Sequence, residues 1–152
     1  GPLRENLNAL SKADIVIVNG ERDMSFEEKI LKINKNLKIF YSFYKPINLE
    51  KFKNKKLLAL AGIGNPENFF QLLERNNLKI EKKIVMPDHY MLSKKEFLNI
   101  INEANINNYQ VVMTEKDYFK IKSFSTNKID FLKVDLIIKN QEKLLSMIKE
   151  KI

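Results

Sequence analysis

The 152-residue chain contains no cysteine, so disulfide bonds and cysteine-bound metals have no part in its structure. It has no apolar run near the roughly 18 residues that a membrane-spanning helix needs. No basic segment followed by an apolar stretch opens the sequence, as it would in a secretory signal. These absences predict a protein that is indifferent to redox conditions and suited to the cytoplasm.

Acidic residues are the minority among the charges. The chain has 27 Lys and Arg against 19 Asp and Glu, which gives a net charge of +8. Clustered basic residues would indicate binding to nucleic acid or to an anionic membrane. Here they are nearly all lysines scattered among asparagine and isoleucine, so no specific nucleic-acid binding is expected. A generally basic surface that tolerates an anionic substrate or membrane is the better interpretation.

The apolar content is sufficient for one ordinary core. Hydrophobic residues make up 44% of the chain, and its length is close to the commonest domain size. We see no internal repeat, no low-complexity linker and no convincing boundary. We therefore predict a single α/β domain over residues 1–152.

Strand-like apolar runs alternate with helical patterns along the whole chain. Helices are predicted between the runs and after the last one. Such alternation predicts a mostly parallel sheet with helices on both faces. The predicted strands cover residues 13–20, 37–44, 57–61, 78–86, 109–114 and 129–138, with 78–86 as an edge or half-exposed strand.

Helix starts are marked by capping residues. Ser25 with Glu28, and Ser93 with Glu96, have the serine–glutamate spacing of the capping box. After Ser93, apolar residues recur at helical spacing and predict an amphipathic helix.

In an open parallel sheet, ligands bind beyond the carboxyl ends of the strands, so the loops after the strands are the places to look for function. The first is GIGNPE, residues 62–67. Gly62 and Gly64 could let a phosphate approach the backbone, but Glu67 stands where the dinucleotide fingerprint has a third glycine. A tight strand-to-helix turn with Asn65 as the N-cap is the favoured interpretation.

The second loop is TEKD, residues 114–117. Thr114 can be a plain helix cap with Asp117 bonding back from the third helical position, which would account for both residues structurally. Lys116 at the end of a strand could instead meet a phosphate. The spacing alone favours the structural interpretation but leaves both open.

The third loop, MPDHY, holds the only histidine of the chain, His89. Histidine titrates near neutral pH and can accept or orient a proton, and Asp88 beside it could fix a tautomer or meet a metal-bound water. Neighbouring side chains seldom hydrogen-bond in a productive geometry. From the residues alone, a structural loop position is therefore favoured.

Five segments taken together resemble a known family. GPLRE, ADIVIVNG, LALAGIGNPENFF, MPDHY and MTEKD occur in the order and approximate spacing of the C-terminal half of the tetraacyldisaccharide 4'-kinases, the lipid A kinases of Gram-negative bacteria. The resemblance covers essentially the whole chain, and GPLRE and AGIGNPENFF are its most specific parts.

The resemblance implies a P-loop NTPase-class kinase that transfers the γ-phosphoryl group of ATP, with Mg²⁺, to the 4'-hydroxyl of a lipid-linked glucosamine disaccharide. The family enzyme acts at the cytoplasmic face of the inner membrane and has two α/β lobes, of which this chain looks like the second. If the roles of the matching family residues apply here, His89 and Asp88 would be catalytic, and His89 would assist an aspartate of the first lobe. Arg4 and Glu5 would lie at the lobe junction near the nucleotide, and Thr114, Lys116 and Asp117 near phosphate or the junction.

The glycine-lysine phosphate loop of the family is not found in residues 1–152, and the proposed base and acidic metal-binding motif are also missing. We therefore expect ATP and Mg²⁺ to be bound mainly by a P-loop lobe, supplied in cis or in trans, and no metal site in this chain. The chain alone is expected to be inactive, and the anionic inner-membrane surface is an expected partner.

A free-standing basic α/β module that binds nucleic acid or anionic lipid is the alternative. It predicts lysines clustered on one face and salt-sensitive binding. The kinase-lobe interpretation predicts instead that His89, Thr114 and Lys116 converge at one end of the sheet, beside exposed apolar surface.

Overall fold

The computed structural model describes residues 6–124 and 126–151, with the backbone but not the side chain of Lys122. The described residues form two compact units: a central unit, Pro46–Val134, and a terminal unit, residues 6–45 with 135–151. The strands are β1 (Ile15–Asn19), β2 (Lys38–Pro46), β3 (Lys56–Ala61), β4 (Lys79–Val85), β5 (Tyr109–Thr114), β6 (Ile129–Leu132) and β7 (Val134–Ile138). The α-helices are α1 (Met24–Ile33), α2 (Pro66–Arg75), α3 (Lys94–Asn107), α4 (Glu115–Ile121) and α5 (Gln141–Lys151), and short 3-10 helices cover Leu7–Lys12, Leu49–Lys51 and Lys122–Phe124.

The central unit is built on a four-stranded sheet in the order β4-β3-β5-β6. Each neighbouring pair in this sheet is parallel. Parallel neighbours need a crossover connection, and α2, α3 and α4 provide these connections along the chain. The predicted α/β class with a mostly parallel sheet is confirmed.

Strand β3 packs against helices on both faces of this sheet. Leu57, Ala59 and Ala61 belong to an apolar cluster with residues of α2, whereas Leu58 and Leu60 belong to a second cluster with residues of α3. All five side chains are almost completely buried. Burying a leucine side chain contributes roughly 1.5–3 kcal/mol, so this strand anchors both layers.

Strand β4 lies at the edge of the sheet, as its alternating pattern predicts. Lys82 pairs with Glu103 of α3, and Lys83 pairs with Glu74 of α2 at 2.8 Å. The register against β3 also shifts between Leu57 and Leu58. Lysines and an irregular register both discourage another strand from pairing with this edge.

The terminal unit contains a three-stranded sheet in the order β1-β2-β7. Strands β1 and β2 are parallel, with Ile15 opposite Lys38. The buried apolar residues of this unit include Ile30, Phe40 and Leu144, so its core is small.

A polar cluster in the terminal unit was not predicted. The carboxylate of Glu27 accepts hydrogen bonds from the Arg22 guanidinium at 3.0 and 3.2 Å and from the Tyr41 hydroxyl. The bond from Arg22 is the main reason why the pKa of Glu27 lies below its usual value, and the bond from Tyr41 acts in the same direction. The cluster joins the start of α1 to strand β2.

The cap predicted for the first helix is wrong. Helix α1 begins at Met24, and its N-cap is Asp23 rather than Ser25. The Asp23 carboxylate accepts the backbone N–H groups of Ser25 and Phe26 at 3.0 and 3.1 Å. Asp23 is extended and its side chain already serves the first free amides, so Ser25 is placed inside the first turn.

The single strand predicted over residues 129–138 is also wrong, because the segment forms β6 and β7 in different sheets. The interruption is at Lys133. Its N–H donates to Asn48 Oδ1 at 2.8 Å, and its carbonyl accepts the Ile47 N–H at 2.9 Å. Asn48 also donates to the Phe131 carbonyl at 2.8 Å. These bonds replace the strand ladder at this residue, and the apolar pattern does not reveal them.

None of the helices in the described ranges is long and apolar enough to cross a lipid bilayer.

The single domain expected over residues 1–152 stays a prediction and can be tested by unfolding. A single cooperative domain should lose the amide NMR signals of the central and terminal units at the same urea concentration. Far-ultraviolet circular dichroism should report the same midpoint. Two separate midpoints, one for each unit, would contradict the prediction.

Candidate active site

Three segments meet at the carboxyl edge of the central sheet. Strands β3, β4 and β5 run parallel, so Ala61, Val85 and Thr114 all lie at this edge. Loops follow β3 and β4, whereas β5 continues directly into α4 at Glu115, so TEKD is a helix start rather than the loop expected from the sequence. The predicted convergence at one end of the sheet is therefore present in the structure.

Asp117 is the centre of the hydrogen bonds at this edge. Its Oδ2 atom accepts the backbone N–H of Gly62 at 2.8 Å and the hydroxyl of Thr114 at 2.9 Å. The Lys120 ammonium lies 3.3 Å from Oδ1. Asp117 is only 2% exposed. Its carboxylate therefore joins the loop after β3 to the junction of β5 and α4 from inside the protein.

Thr114 has the capping role that the sequence favoured. Its Oγ1 atom accepts the Asp117 N–H at 3.2 Å, while its hydroxyl donates to the Asp117 carboxylate. Both side chains are thus committed to each other and to Gly62. Lys116 and Glu115, between them in sequence, remain exposed at the start of α4.

Gly62 is closely packed. A Cβ atom at this position would lie 3.2 Å from Met86 Cε and 3.3 Å from Asp117 Oδ1. Its N–H is already donated to Asp117, which favours the tight-turn interpretation of the GIGNPE segment over a phosphate-binding one. Asn65 caps α2 as expected, accepting the Asn68 N–H at 3.4 Å.

Asp88, His89 and Lys116 form the accessible part of the site. The Lys116 ammonium lies 3.7 Å from Asp88 Oδ1, and His89 Nε2 lies 3.6 Å from Asp88 Oδ2. The side chain of Lys116 is 54% exposed, that of His89 is 81% exposed and that of Asp88 is 42% exposed. A Cβ atom at Gly64 would be 3.6 Å from Asp88 Oδ2, so the GIGNPE turn borders the same carboxylate. A proton acceptor and a cation are thus held at one carboxylate.

Local hydrogen bonds stabilise the turn that contains His89. His89 has a φ of +62°, an uncommon conformation for a residue other than glycine. Its own N–H donates to Asp88 Oδ1 at 3.0 Å, and the Tyr90 N–H donates to the Pro87 carbonyl at 3.1 Å. Backbone strain of this kind is often found at functional sites.

A hydrogen bond from Tyr90 links this turn to helix α3. Its hydroxyl donates to the Glu96 carboxylate, which also accepts the Ser93 N–H at 2.8 Å. The Glu96 N–H donates to Ser93 Oγ at 3.2 Å, so the predicted capping box is confirmed. The hydrogen bond from Tyr90 is the main cause that lowers the pKa of Glu96, followed by the bonds from Ser93.

Apolar surface is exposed beside the turn. Val85 is 57% exposed and Met91 64% exposed. A shallow groove of about 450 Å³ lies next to them, with a mainly apolar lining. Exposed apolar surface beside the polar groups is what the kinase-lobe interpretation expects. The groove is lined chiefly by Ile84, Val85, Pro87, Tyr90, Leu92 and Ile100.

Two predicted site residues, Arg4 and Glu5, lie outside the described residues. Within residues 6–124 and 126–151, no three His, Asp or Glu side chains come close enough to hold a metal ion together. The sequence reasoning missed Lys120 and the Tyr90–Glu96 bond. Lys120 lies three residues after Asp117, which is the spacing of an ion pair within a helix, so this spacing could have indicated Lys120.

The parallel sheet and the polar groups beyond its carboxyl edge define an α/β protein of the class that binds its ligands at this edge. The family model described as Tetraacyldisaccharide-1-P 4'-kinase matches residues 1–152. The chain belongs to the tetraacyldisaccharide 4'-kinase family.

Relatives support the same assignment. The tetraacyldisaccharide 4'-kinase of Pelagibacter ubique is 38% identical over 147 residues, which are 95% of this chain and 47% of the relative. That of Rickettsia bellii is 36% identical over 152 residues, covering 99% of this chain and 46% of the relative. The chain spans about half the length of the curated relatives that it matches.

A solved structure shares the fold. The crystal structure of LpxK from Aquifex aeolicus in complex with ATP matches with a TM-score of 0.61 and 19% identity. The match covers 97% of this chain and 45% of that chain.

Replacing Asp117 by Asn should destabilise the protein by about 3 kcal/mol. One carboxylate oxygen becomes an NH₂ group, so one of the buried donors at Gly62, Thr114 or Lys120 loses its acceptor. Asp14→Asn is the matched control, because the Asp14 side chain is 68% exposed and makes a surface ion pair with Lys151. Urea unfolding of both variants measures the difference, and equal effects would show that Asp117 does not hold these segments together.

The Glu96 contacts should make stability depend on pH in the acid range. The pKa of Glu96 is lowered on folding from about 4.5, so its contribution is present above that pH and is lost as the pH falls through the folded value. The stability difference between wild type and Glu96→Gln should therefore shrink on acidification. Urea unfolding across this range tests it, with Glu150→Gln as an exposed control. A difference that does not change with pH would contradict the expectation.

Proposed function

We propose that this chain is the C-terminal part of an ATP-dependent kinase that phosphorylates the 4'-hydroxyl of a tetraacylated glucosamine disaccharide in lipid A biosynthesis. Family membership supports the reaction class. The observation that carries the proposal is the convergence of Asp88, His89 and Lys116 on the carboxyl edge of a parallel sheet. Phosphoryl transfer depends mainly on positioning and charge neutralisation, which these groups can provide.

His89 is the proton-handling group in this proposal. Its imidazole is 81% exposed, so an acceptor hydroxyl or a catalytic carboxylate from another segment can reach it. The Asp88 carboxylate lies 3.6 Å from His89 Nε2, and its other oxygen accepts the His89 N–H. Positioned general bases contribute about 10²–10⁴-fold to a rate.

Lys116 supplies positive charge toward the phosphate in this proposal. Its ammonium is 54% exposed and lies only at ion-pair distance from Asp88. An exposed lysine in a weak ion pair can rotate toward an anionic ligand without losing a buried hydrogen bond. Thr114 and Asp117 act indirectly, because their hydrogen bonds fix the start of α4, which carries Lys116.

The residues of this edge do not fit a Mg²⁺ centre by themselves. Magnesium prefers six oxygen ligands, including carboxylates. Asp117 is buried and already bonded, and Asp88 is shared between a lysine and a histidine. In the proposed enzyme, ATP and Mg²⁺ are therefore bound mainly by a P-loop lobe in cis or in trans. The chain alone is proposed to be inactive.

The proposed place of action is the cytoplasmic face of the inner membrane of a Gram-negative bacterium, where the protein is peripheral. The net charge of +8 supports attraction to an anionic surface. Each basic residue near such a surface contributes about 1 kcal/mol. The proposed substrate is lipid-linked and lies in that surface.

A phosphoryl-transfer assay with ATP, Mg²⁺ and a tetraacylated disaccharide acceptor tests the proposal. The chain should be inactive alone and should support transfer when a P-loop lobe of a relative is added or fused. Inactivity in both cases, with salt-sensitive binding to nucleic acid or anionic vesicles, would instead favour a free-standing basic binding module.

His89→Asn should reduce turnover in the active combination by about 100-fold or more. Asparagine tolerates the positive φ of position 89, so the loss reports on the imidazole rather than on the backbone. Asn105→Ala, on the exposed surface of α3, is the control and should leave turnover unchanged. Normal turnover with His89→Asn would remove His89 from the proposed machinery.

A further inference from the structure

A second polar groove lies at the opposite edge of the central sheet. It has a volume of about 390 Å³ and lies where β3 and β5 begin and where the turn before β6 ends. Because the strands are parallel, this amino edge is the far end of the sheet from Asp88 and His89. The lining residues are Asn54, Lys55, Lys56, Asn108, Tyr109, Gln110 and Lys128.

The groove is positively charged. Its lining contains three lysines and no carboxylate. Within the described ranges, the ion pairs of the central unit use other lysines, such as Lys51 with Asp130 and Lys82 with Glu103. Lys128 is half-buried, and none of the ion pairs found within those ranges uses it. Three lysines that line one groove without a carboxylate favour the binding of an anion.

Neighbouring negative groups do not balance this charge. Glu81 interacts with Lys56, but its pKa is lowered mainly by a hydrogen bond from Lys79, and the effect of Lys56 is smaller. Helix α3 also ends at Asn108, where its free carbonyls carry about half a negative charge. One lysine would more than compensate that helix end, so a surplus of positive charge remains.

The groove is formed before any ligand binds. The Gln110 side chain donates to the carbonyls of Lys128 and Val111 at 2.9 and 3.3 Å, which fixes the turn that carries Lys128. The Lys128 N–H donates to Thr126 Oγ1 at 3.2 Å. Asn54 and Asn108 have φ values of +59° and +55° and turn the chain into β3 and β5. A preformed site avoids much of the ordering cost of binding.

We propose that this groove binds a phosphate monoester or diester group, with Lys55, Lys56 and Lys128 as charge partners and the side chains of Asn54 and Asn108 as additional hydrogen-bond donors. The group belongs either to an anionic lipid headgroup or to a soluble phosphorylated compound. The site is separate from the candidate active site and does not depend on the proposed kinase activity. Charge-assisted bonds to phosphate are the strong kind of hydrogen bond, so a small groove can hold such a group.

The test begins with inorganic phosphate and glycerol 3-phosphate, titrated into the isotope-labelled chain and followed by amide NMR. The largest shifts are expected at residues 54–56, 108–110 and 128. Replacing Lys55, Lys56 and Lys128 together by Gln should weaken binding by about tenfold or more. The matched control replaces Lys35, Lys94 and Lys95, three exposed lysines elsewhere, by Gln and should change binding by less than about twofold.

Vesicles distinguish the two sources of phosphate. Co-sedimentation of the wild type, but not of the groove variant, with phosphatidylcholine vesicles containing phosphatidylglycerol would assign the site to a lipid headgroup. Phosphate binding without vesicle recruitment would assign it to a soluble compound. Equal weakening by both triple variants, shifts spread over lysines of the whole surface, or groove-dependent binding of duplex DNA with no response to phosphate would each overturn the proposal.

Discussion

The candidate site depends on one buried carboxylate. Asp117 accepts bonds from the backbone of the loop after β3 and from the hydroxyl of the last residue of β5, and it does so with almost no access to water. Loops are normally held by few apolar contacts. Here a charge-assisted bond of 2.8 Å links Gly62 to the start of α4, the helix that carries Lys116. The same loop after β3 borders Asp88 at Gly64.

The structure separates residues that shape the site from residues that can meet a ligand. Thr114, Asp117 and Gly62 face inward and bond to one another, whereas Asp88, His89 and Lys116 remain accessible. All six were singled out from the sequence, which favoured structural roles for Thr114, Asp117 and Gly62 but left their functional roles open. That division depends on which side chains point inward, and inward direction is a property of the packed fold rather than of local spacing.

Much of the fold could be predicted because local rules and burial agree there. Strand β3 is apolar throughout and covered on both faces, and Ser93 with Glu96 forms the capping box that its spacing indicates. The predictions fail where a residue distant in sequence, or a competing side chain, determines the local structure. Asn48 interrupts the strand at Lys133 from more than eighty residues away in sequence, and Asp23 takes the cap position ahead of Ser25. The convergence of the three segments was predictable, since parallel strands end at one edge.

The lysines of the edge strand β4 have a practical consequence for handling the protein. Lys82 and Lys83 make surface ion pairs, and Lys79 pairs with Glu81 on the same strand. Amine-reactive dyes, biotin esters and surface-coupling chemistry neutralise such lysines. A heavily labelled sample would therefore lose the lysine charges that discourage another strand from pairing with this edge. Attachment through an introduced cysteine avoids this, since the natural chain has none.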